Sequence, residues 1–212
     1  MSATEDEARV TLVAAARRLS GLGLNPGRSG NASLRREGGF LVTPSGVAYD
    51  RLGAEDVVFV DASGAPGGGR KPSSEWRLHH DIYARRPEAG GIAHTHSPFA
   101  TTLACLRRPI PAFHYEVAFA GGADIRCAPY ATFGTQQLSD HALAALDGRR
   151  ACLLANHGVV AIGATLADAV ELAERVEALA RLYCQALQLG EPVLLDEVEM
   201  AQVLEKFRTY GK

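Results

Sequence analysis

The spacing of apolar positions changes along the chain and marks out its elements. In residues 5–19, EDEARVTLVAAARRL, Val10, Leu12, Val13 and Leu19 recur at helix-compatible spacings. Acidic residues lead this segment and Arg17–Arg18 trail it, the order that suits a helix dipole, and Gly21 and Gly23 stop it. After the Gly- and Asn-rich stretch GLNPGRSGN the period falls to two. Ala32–Arg36 and Gly39–Thr43 read as short strands joined by a turn at Glu37–Gly38, and Val57–Val60 as a third strand. Gly64–Lys71 (GAPGGGRK) reads as a surface loop. Helical spacing returns at Ser73-Ser74-Glu75, with serine as N-cap and Pro87 as terminator.

Gly91–His96 predicts a strand, and Ser97-Pro98 the start of a helix. Phe113–Phe119 and Ile125–Pro129 predict a strand pair, and Gln136–Leu146 a helix. Ala151–Ile162 predicts two buried strands around a turn at Asn156-His157-Gly158. Thr165 caps a long helix to about Leu189, with Leu166, Ala169, Val170, Leu172, Ala173 and Val176 as its apolar stripe. Asp196–Phe207 is a last amphipathic helix. Short turns between several strands predict a largely antiparallel sheet with helices on its faces, an α/β fold.

With 212 residues, 47% of them apolar, and a net charge of −2, the chain fits a single domain with a sizeable core, without the composition of a disordered segment. The charge balance argues against a nucleic-acid partner. No run of 18 apolar residues suggests a membrane span, and the acidic start MSATEDEARV lacks a secretory pattern. Cys105, Cys127, Cys152 and Cys184 are scattered and form no CxxC, so a cytoplasmic protein with reduced thiols is expected.

The histidines carry the chemistry. His94 and His96 stand at i and i+2 of a strand, so both imidazoles project to one face. His157 lies on a glycine turn between buried runs. On spacing alone two readings stand: polar residues satisfied by the backbone at a strand end, or three imidazoles for a metal with an open position. His79, His80, His114 and His141 show no such arrangement. Glu75 follows two serines at a helix start, either as an ordinary first-turn acid or as an acid/base beside an anion pocket made by hydroxyls and free N–H groups. Ser29-Gly30-Asn31 and Thr43-Pro44-Ser45-Gly46 are turns of the kind that can wrap a phosphate. No Walker or GxGxxG unit supports nucleotide binding. The three lysines, Lys71, Lys206 and Lys212, lie outside apolar runs that would activate an amine for a Schiff base.

In order along the chain stand GLNPGRSGNASLR, FLVTPSG, KPSSEWRLH, HTH, PYATFGT, NHG and EKFRTYG. From about Leu22 to Gly211 this series resembles the class II aldolase/adducin family, and within it the zinc-dependent aldolases acting on L-fuculose 1-phosphate. The resemblance implies a single domain over residues 1–212, a three-layer sandwich with a central, mostly antiparallel sheet and helices on both faces. It implies a tail, about 196–212, that closes over the site. It implies one Zn²⁺ per subunit, with Co²⁺ or Mn²⁺ as substitutes, held by His94, His96 and His157 and, in the resting enzyme, by Glu75. Glu75 would then move the proton at the dihydroxyacetone phosphate carbon. Gly30, Asn31, Ser45, Gly46, Ser73 and Ser74 would hold the phosphate. Tyr115, reaching across a subunit interface of a homotetramer, would serve the aldehyde oxygen, with Phe133 and Tyr210 as aldehyde-side contacts.

The implied reaction is reversible cleavage of a ketose 1-phosphate, L-fuculose 1-phosphate first, to dihydroxyacetone phosphate and L-lactaldehyde. The alternatives within the resemblance are a sugar-phosphate 4-epimerase of the L-ribulose-5-phosphate type, whose members carry aspartate where Glu75 stands, a methylthioribulose-1-phosphate dehydratase, and an adducin-like interaction module without enzymatic activity. The chain departs from the pattern at Ser45, where a threonine is usual, and at Arg28, where a small hydroxyl residue is usual.

Overall fold

The computed structural model describes residues 4–209. Helix α1 (Glu5–Gly21) opens with a capping box in which the Thr4 hydroxyl accepts from the Glu7 N–H and the Glu7 carboxylate accepts from the Thr4 N–H. The hairpin β1 (Asn31–Arg36) and β2 (Gly39–Val42) turns at Glu37–Gly38 as its pattern predicts, and β3 (Val58–Asp61) pairs with β2. Then follow α2 (Trp76–Arg85), β4 (Gly91–Thr95), α3 (Pro98–Cys105), β5 (Cys127–Ala128), α4 (Gln136–Ala145), β6 (Ala151–Leu154), β7 (Gly158–Gly163), α5 (Leu166–Leu189) and α6 (Glu197–Thr209).

The strands form one sheet in the order β3-β2-β1-β4-β7-β6-β5, antiparallel except where β5 runs parallel to β6. Alternation along each strand feeds two cores. Leu41, Ala93, Leu153, Val159 and Ala161 face α1, α3 and α5. Phe40, Val42, Ile92, Leu154, Val160 and Ile162 face Leu78, Ile82 and Tyr83 of α2 and Leu138 and Ala142 of α4. The sandwich therefore has three layers. A small third cluster joins Met200, Leu204 and Phe207 of α6 to Ala112 and Ala118. No helix among the described residues is long and apolar enough to cross a membrane.

Two local expectations are corrected. The segment 113–119 is not a strand: Tyr115–Ala120 is a 3-10 helix, capped where the His114 Nδ1 accepts the Glu116 N–H at 3.3 Å. Val117, Ala118 and Ala120 are buried together, a grouping that helical rather than two-residue spacing satisfies. Ile125 instead forms an isolated bridge with Ile110, ahead of that segment. Serine does not hold the cap position of α2, whereas Ser97 does cap α3 with Pro98 in its first turn, as its pattern predicts, but without a hydroxyl cap bond. Glu75 occupies the cap position of α2, with the Ser73 hydroxyl accepting its N–H at 3.3 Å. At α3, Glu177 of the distant α5 accepts the N–H groups of Phe99 (2.8 Å) and Ala100 (2.9 Å), a tertiary cap that local sequence does not reveal.

Candidate metal centre and anion pocket

The centre lies where β4 and β7 meet beside the start of α2. His94 is paired with Val160 across the β4–β7 ladder and points to the α2 face. Its Nδ1–H donates to the Val159 carbonyl at 2.8 Å, which leaves the lone pair of the neutral ring on Nε2. His96 lies one residue past the end of β4. Its backbone N–H donates to the Asn25 Oδ1 at 3.3 Å, tying it to the Gly-rich loop. His157 rides on a tight turn in which Asn156 takes a left-handed φ of 54°, a conformation asparagine tolerates. Gly158 lets β7 begin this close to β4, because a Cβ there would stand 2.3 Å from the Thr95 carbonyl oxygen.

The three rings meet nearly edge-on, with centroids 4.8–4.9 Å apart and interplanar angles of 75–82°. One ligand atom from each ring and one Glu75 oxygen lie within 4.8 Å of one another. Glu75 Oε2 is 3.1 Å from His94 Nε2, Glu75 Oε1 is 3.3 Å from His157 Nε2, and the two Nε2 atoms of His94 and His96 are 3.0 Å apart. A lone pair on His94 thus faces a second imidazole nitrogen and a carboxylate, while the buried Glu75 Oε1 makes no hydrogen bond. Converging acceptors of this kind fit a cation, and imidazole and carboxylate donors suit zinc among several divalent metals.

Electrostatics agree with this donor set. Burial pushes His96 down to about 3 and His157 down to about 4, helped by the neighbouring rings, so both are neutral. Burial works to raise the Glu75 carboxyl and to lower His94, but each favours the charge of the other, and the charge and hydrogen bond of His94 hold Glu75 below the ordinary range.

Beside the centre opens a cavity of about 310 Å³. Arg28, Gly30, Asn31, Ser45, Gly46, Ser73, Ser74, Glu75, His96, Phe133 and His157 line it, with Tyr130, Ala131 and Asn156. Its three loops are stitched together by backbone. The Thr43 N–H donates to the Ala32 carbonyl, the Ser73 N–H to the Thr43 carbonyl and the Ser45 N–H to the Lys71 carbonyl, each at 3.0 Å. Gly30 has a φ of +70°, and a Cβ there would meet the Asn25 side chain at 2.3 Å. The Tyr49 hydroxyl donates to the Gly30 carbonyl at 2.6 Å and fixes the loop from below.

The structure thus gathers the expected residues with two exceptions. Tyr115 is about half exposed, stacked on His114, and lines a separate apolar groove with Phe113, Leu195, Val203 and Phe207. Tyr210 lies outside the described residues. Asn31 does more than line the pocket, since its Nδ2 donates to Glu75 Oε2 at 3.1 Å. His79, given no role by its spacing, is fully buried and holds the other end of that amide. Tyr130, Asn156 and Tyr49 were also without a signal of their own in the sequence.

The chain matches the Class II Aldolase and Adducin N-terminal domain family over residues 10–184. It is 58% identical over 200 residues to a 5-methylthioribulose-1-phosphate/5-deoxyribulose-1-phosphate aldolase of Rhodospirillum rubrum, covering 94% of this chain and 90% of that one. It is 49% identical over 191 residues to the L-fuculose phosphate aldolase of Escherichia coli O6:H1, covering 90% and 89%. A solved L-fuculose 1-phosphate aldolase superposes with a TM-score of 0.93 at 40% identity, over 98% of both chains.

Proposed function

The chain belongs to the class II aldolase and adducin family, and on that premise we propose that this aldolase cleaves a ketose 1-phosphate to dihydroxyacetone phosphate and a short aldehyde. A 5-deoxy- or 5-methylthio-ribulose 1-phosphate is the leading substrate, favoured by the 58% identity to an aldolase so named. L-fuculose 1-phosphate is the second, favoured by the 49% relative and by the 0.93 TM-score. The carrying observation is the juxtaposition of the Glu75–His94–His96–His157 cluster with a wall of serine hydroxyls and glycine N–H groups in one cavity.

In cleavage the C4 hydroxyl gives up its proton, the C3–C4 bond breaks, and its electron pair becomes the enediolate of dihydroxyacetone phosphate. A proton is then returned to C3. A divalent cation held by His94, His96 and His157 would supply the positive charge that stabilises the developing enediolate. Glu75 is the proton carrier at C3: it is ionised, buried and held in place by Asn31. Ser45, Gly46, Ser73 and Ser74 grip the phosphate with Gly30, and the spare Nδ2–H of Asn31 completes the clamp. Holding the phosphate fixes C3 beside the carboxylate and converts a collision into an oriented contact. Tyr115, exposed on its own chain, reaches the aldehyde oxygen of a neighbouring subunit in a homotetramer, where Phe133 and Tyr210 contact the aldehyde.

The test is a coupled assay for dihydroxyacetone phosphate with the three ketose phosphates. The expected ranking places the 5-deoxy and 5-methylthio sugars above L-fuculose 1-phosphate. A tenfold preference for fuculose would reverse the substrate assignment. A phosphorylated product that retains all the carbon atoms would point to the epimerase or dehydratase alternatives instead.

A further inference from the structure

We infer that a one-way hydrogen-bond chain, Tyr83 to Ser33 to His79 to Asn31 to Glu75, fixes the direction in which the Glu75 carboxylate is presented, and that His79 is a positioning residue for its proton transfer. The kinetic part of this inference rests on Glu75 being the proton carrier; the structural part does not.

Two periodicities build the chain. Asn31 and Ser33 stand at i and i+2 of β1 and share one face of the sheet. Glu75, His79 and Tyr83 stand at i, i+4 and i+8 along the start and face of α2. The helix face lies against the strand face, and the two rows interlock.

Each link has a direction forced by chemistry. The ionised carboxylate only accepts, so Asn31 turns its Nδ2 toward Glu75 Oε2, 3.1 Å away. Its Oδ1 then faces the His79 Nε2, and because a carbonyl oxygen only accepts, the His79 proton must sit on Nε2. The lone pair of the neutral ring is left on Nδ1, so the Ser33 hydroxyl donates to it at 2.6 Å. The Ser33 oxygen in turn accepts from the Tyr83 hydroxyl at 2.9 Å. Ser33 and His79 are fully buried, and Asn31, Glu75 and Tyr83 nearly so, so water does not substitute for a missing partner. With the other His79 tautomer the Asn31 amide would have to flip, setting its Oδ1 against Glu75 Oε2 as two buried acceptors. That arrangement costs the desolvation of both groups with no bond in return. The chain also decides which atom Asn31 offers to the cavity, because one N–H remains after Glu75 is served.

The first test reads the tautomer directly in the full metal-loaded protein. Histidine labelled with ¹⁵N, assigned by comparison with His79→Gln, is expected to show His79 neutral and protonated on Nε2 from about pH 8 to 5. A proton on Nδ1, or a doubly protonated ring, overturns the inference whatever the enzyme's substrate.

The second test measures exchange of the C3 proton of dihydroxyacetone phosphate with solvent. His79→Leu is expected to slow it about 10–100-fold, the range for outer partners of ligating groups, at unchanged metal content. His79→Gln, which keeps an N–H where Nε2 stood, should recover part of that loss, a rescue that packing alone would not produce. Ser33→Ala should fall between wild type and His79→Leu, and it carries the kinetic test if the leucine variant does not fold. Exchange within twofold of wild type in both His79→Leu and Ser33→Ala would remove His79 from any positioning role. Intact exchange in Glu75→Gln together with the Nε2 tautomer would overturn the assignment of Glu75 while leaving the hydrogen-bond chain standing.

Discussion

The two ends of the cavity are built by opposite rules. At the inner end His94, Glu75 and Asn31 are buried, set by strand pairing and by the first turn of α2, with Asn31 holding Glu75 and the Val159 carbonyl holding His94. At the outer end Tyr130 and Phe133 leave 50% and 62% of their surface exposed, carried on segments outside the named strands and α-helices. The inner end holds the charges, and charge needs preorganised partners that cannot wait for a second molecule. The outer end offers apolar surface, which can be completed by substrate or by another copy of the chain. Variants inside should therefore slow every ketose phosphate alike, and variants outside should re-rank them.

The largest effect should come from the metal. His157→Ala, or chelation of the wild type, should cost several kcal/mol of transition-state stabilisation, more than about 10³-fold in kcat/KM for all substrates. Metal analysis should show the loss, and added zinc or cobalt should restore the chelated enzyme but not the variant. A loss confined to one sugar would break the division into inner and outer ends. Glu75→Gln comes next. It removes the proposed proton carrier, and general acid–base catalysis of this kind contributes about 10²–10⁴-fold. The loss should be equal across sugars and visible in proton exchange, with fold and thermal unfolding little changed.

The inner end should also show in the pH dependence of stability. Burial, helped by the charge of His94, pushes His79 from an ordinary 6.5 down to about 3 in the fold, so between these values the unfolded chain binds a proton that the native chain does not. Stability therefore rises with pH across that window, is fully present above 6.5, and is lost as pH falls toward 3. One such proton gives a slope of about 1.4 kcal/mol per pH unit, a tenfold change in the folding constant. Denaturant titrations of the chelated protein between pH 6 and 4 should show this slope lessened in His79→Gln, whose side chain does not titrate. An unchanged slope would mean that His79 is protonated in the native state.

Arg28 tests the border between the two ends. Among the described residues lining the cavity it is the one permanent cation, and it makes no hydrogen bond or ion pair. A phosphate dianion would meet it. Arg28→Ala should raise KM for every ketose phosphate and the inhibition constant of inorganic phosphate, each about tenfold, as expected for one charge-assisted contact at a wet rim. Unchanged phosphate inhibition would place the guanidinium in solvent.

Much of the inner end was legible in the sequence because its signals are local. His94 and His96 share a face through strand period, His157 stands on a glycine turn, and the Thr165–Asp168 capping box marks the start of α5. His79 was not legible. Its partners Ser33 and Asn31 lie more than 40 residues away, and only the packing angle of α2 on β1 brings them together. The same holds for the Glu177 cap on α3. The segment 115–120 misled for another reason: a short apolar run fits a strand or a tight helix equally, and the choice is made by what buries it. β5 falls inside the predicted strand Ile125–Pro129, but it pairs with β6 and not with 113–119, a choice no local pattern reveals.

Phe133 should give the smallest effect and the sharpest contrast. It sits on the turn ending at Gly134, whose φ of +74° and close approach to the Ser74 carbonyl, 2.8 Å from where a Cβ would be, lock the ring's segment against the serine rim of the cavity. The ring itself is free on most of its surface, so it has contact energy to give and few partners to lose. Enclosed apolar pockets discriminate one methylene by about 10–200-fold, and an open ring should hold only the lower part of that range. Phe133→Ala is therefore expected to lower kcat/KM about two- to tenfold, more for a substrate with a methylthio group than for one with a bare methyl. Metal content and inhibition by inorganic phosphate should not move. A fall of equal size for both sugars would show that Phe133 supports the phosphate loops through Gly134 rather than reading the aldehyde, and would move the boundary between the two ends outward by one residue.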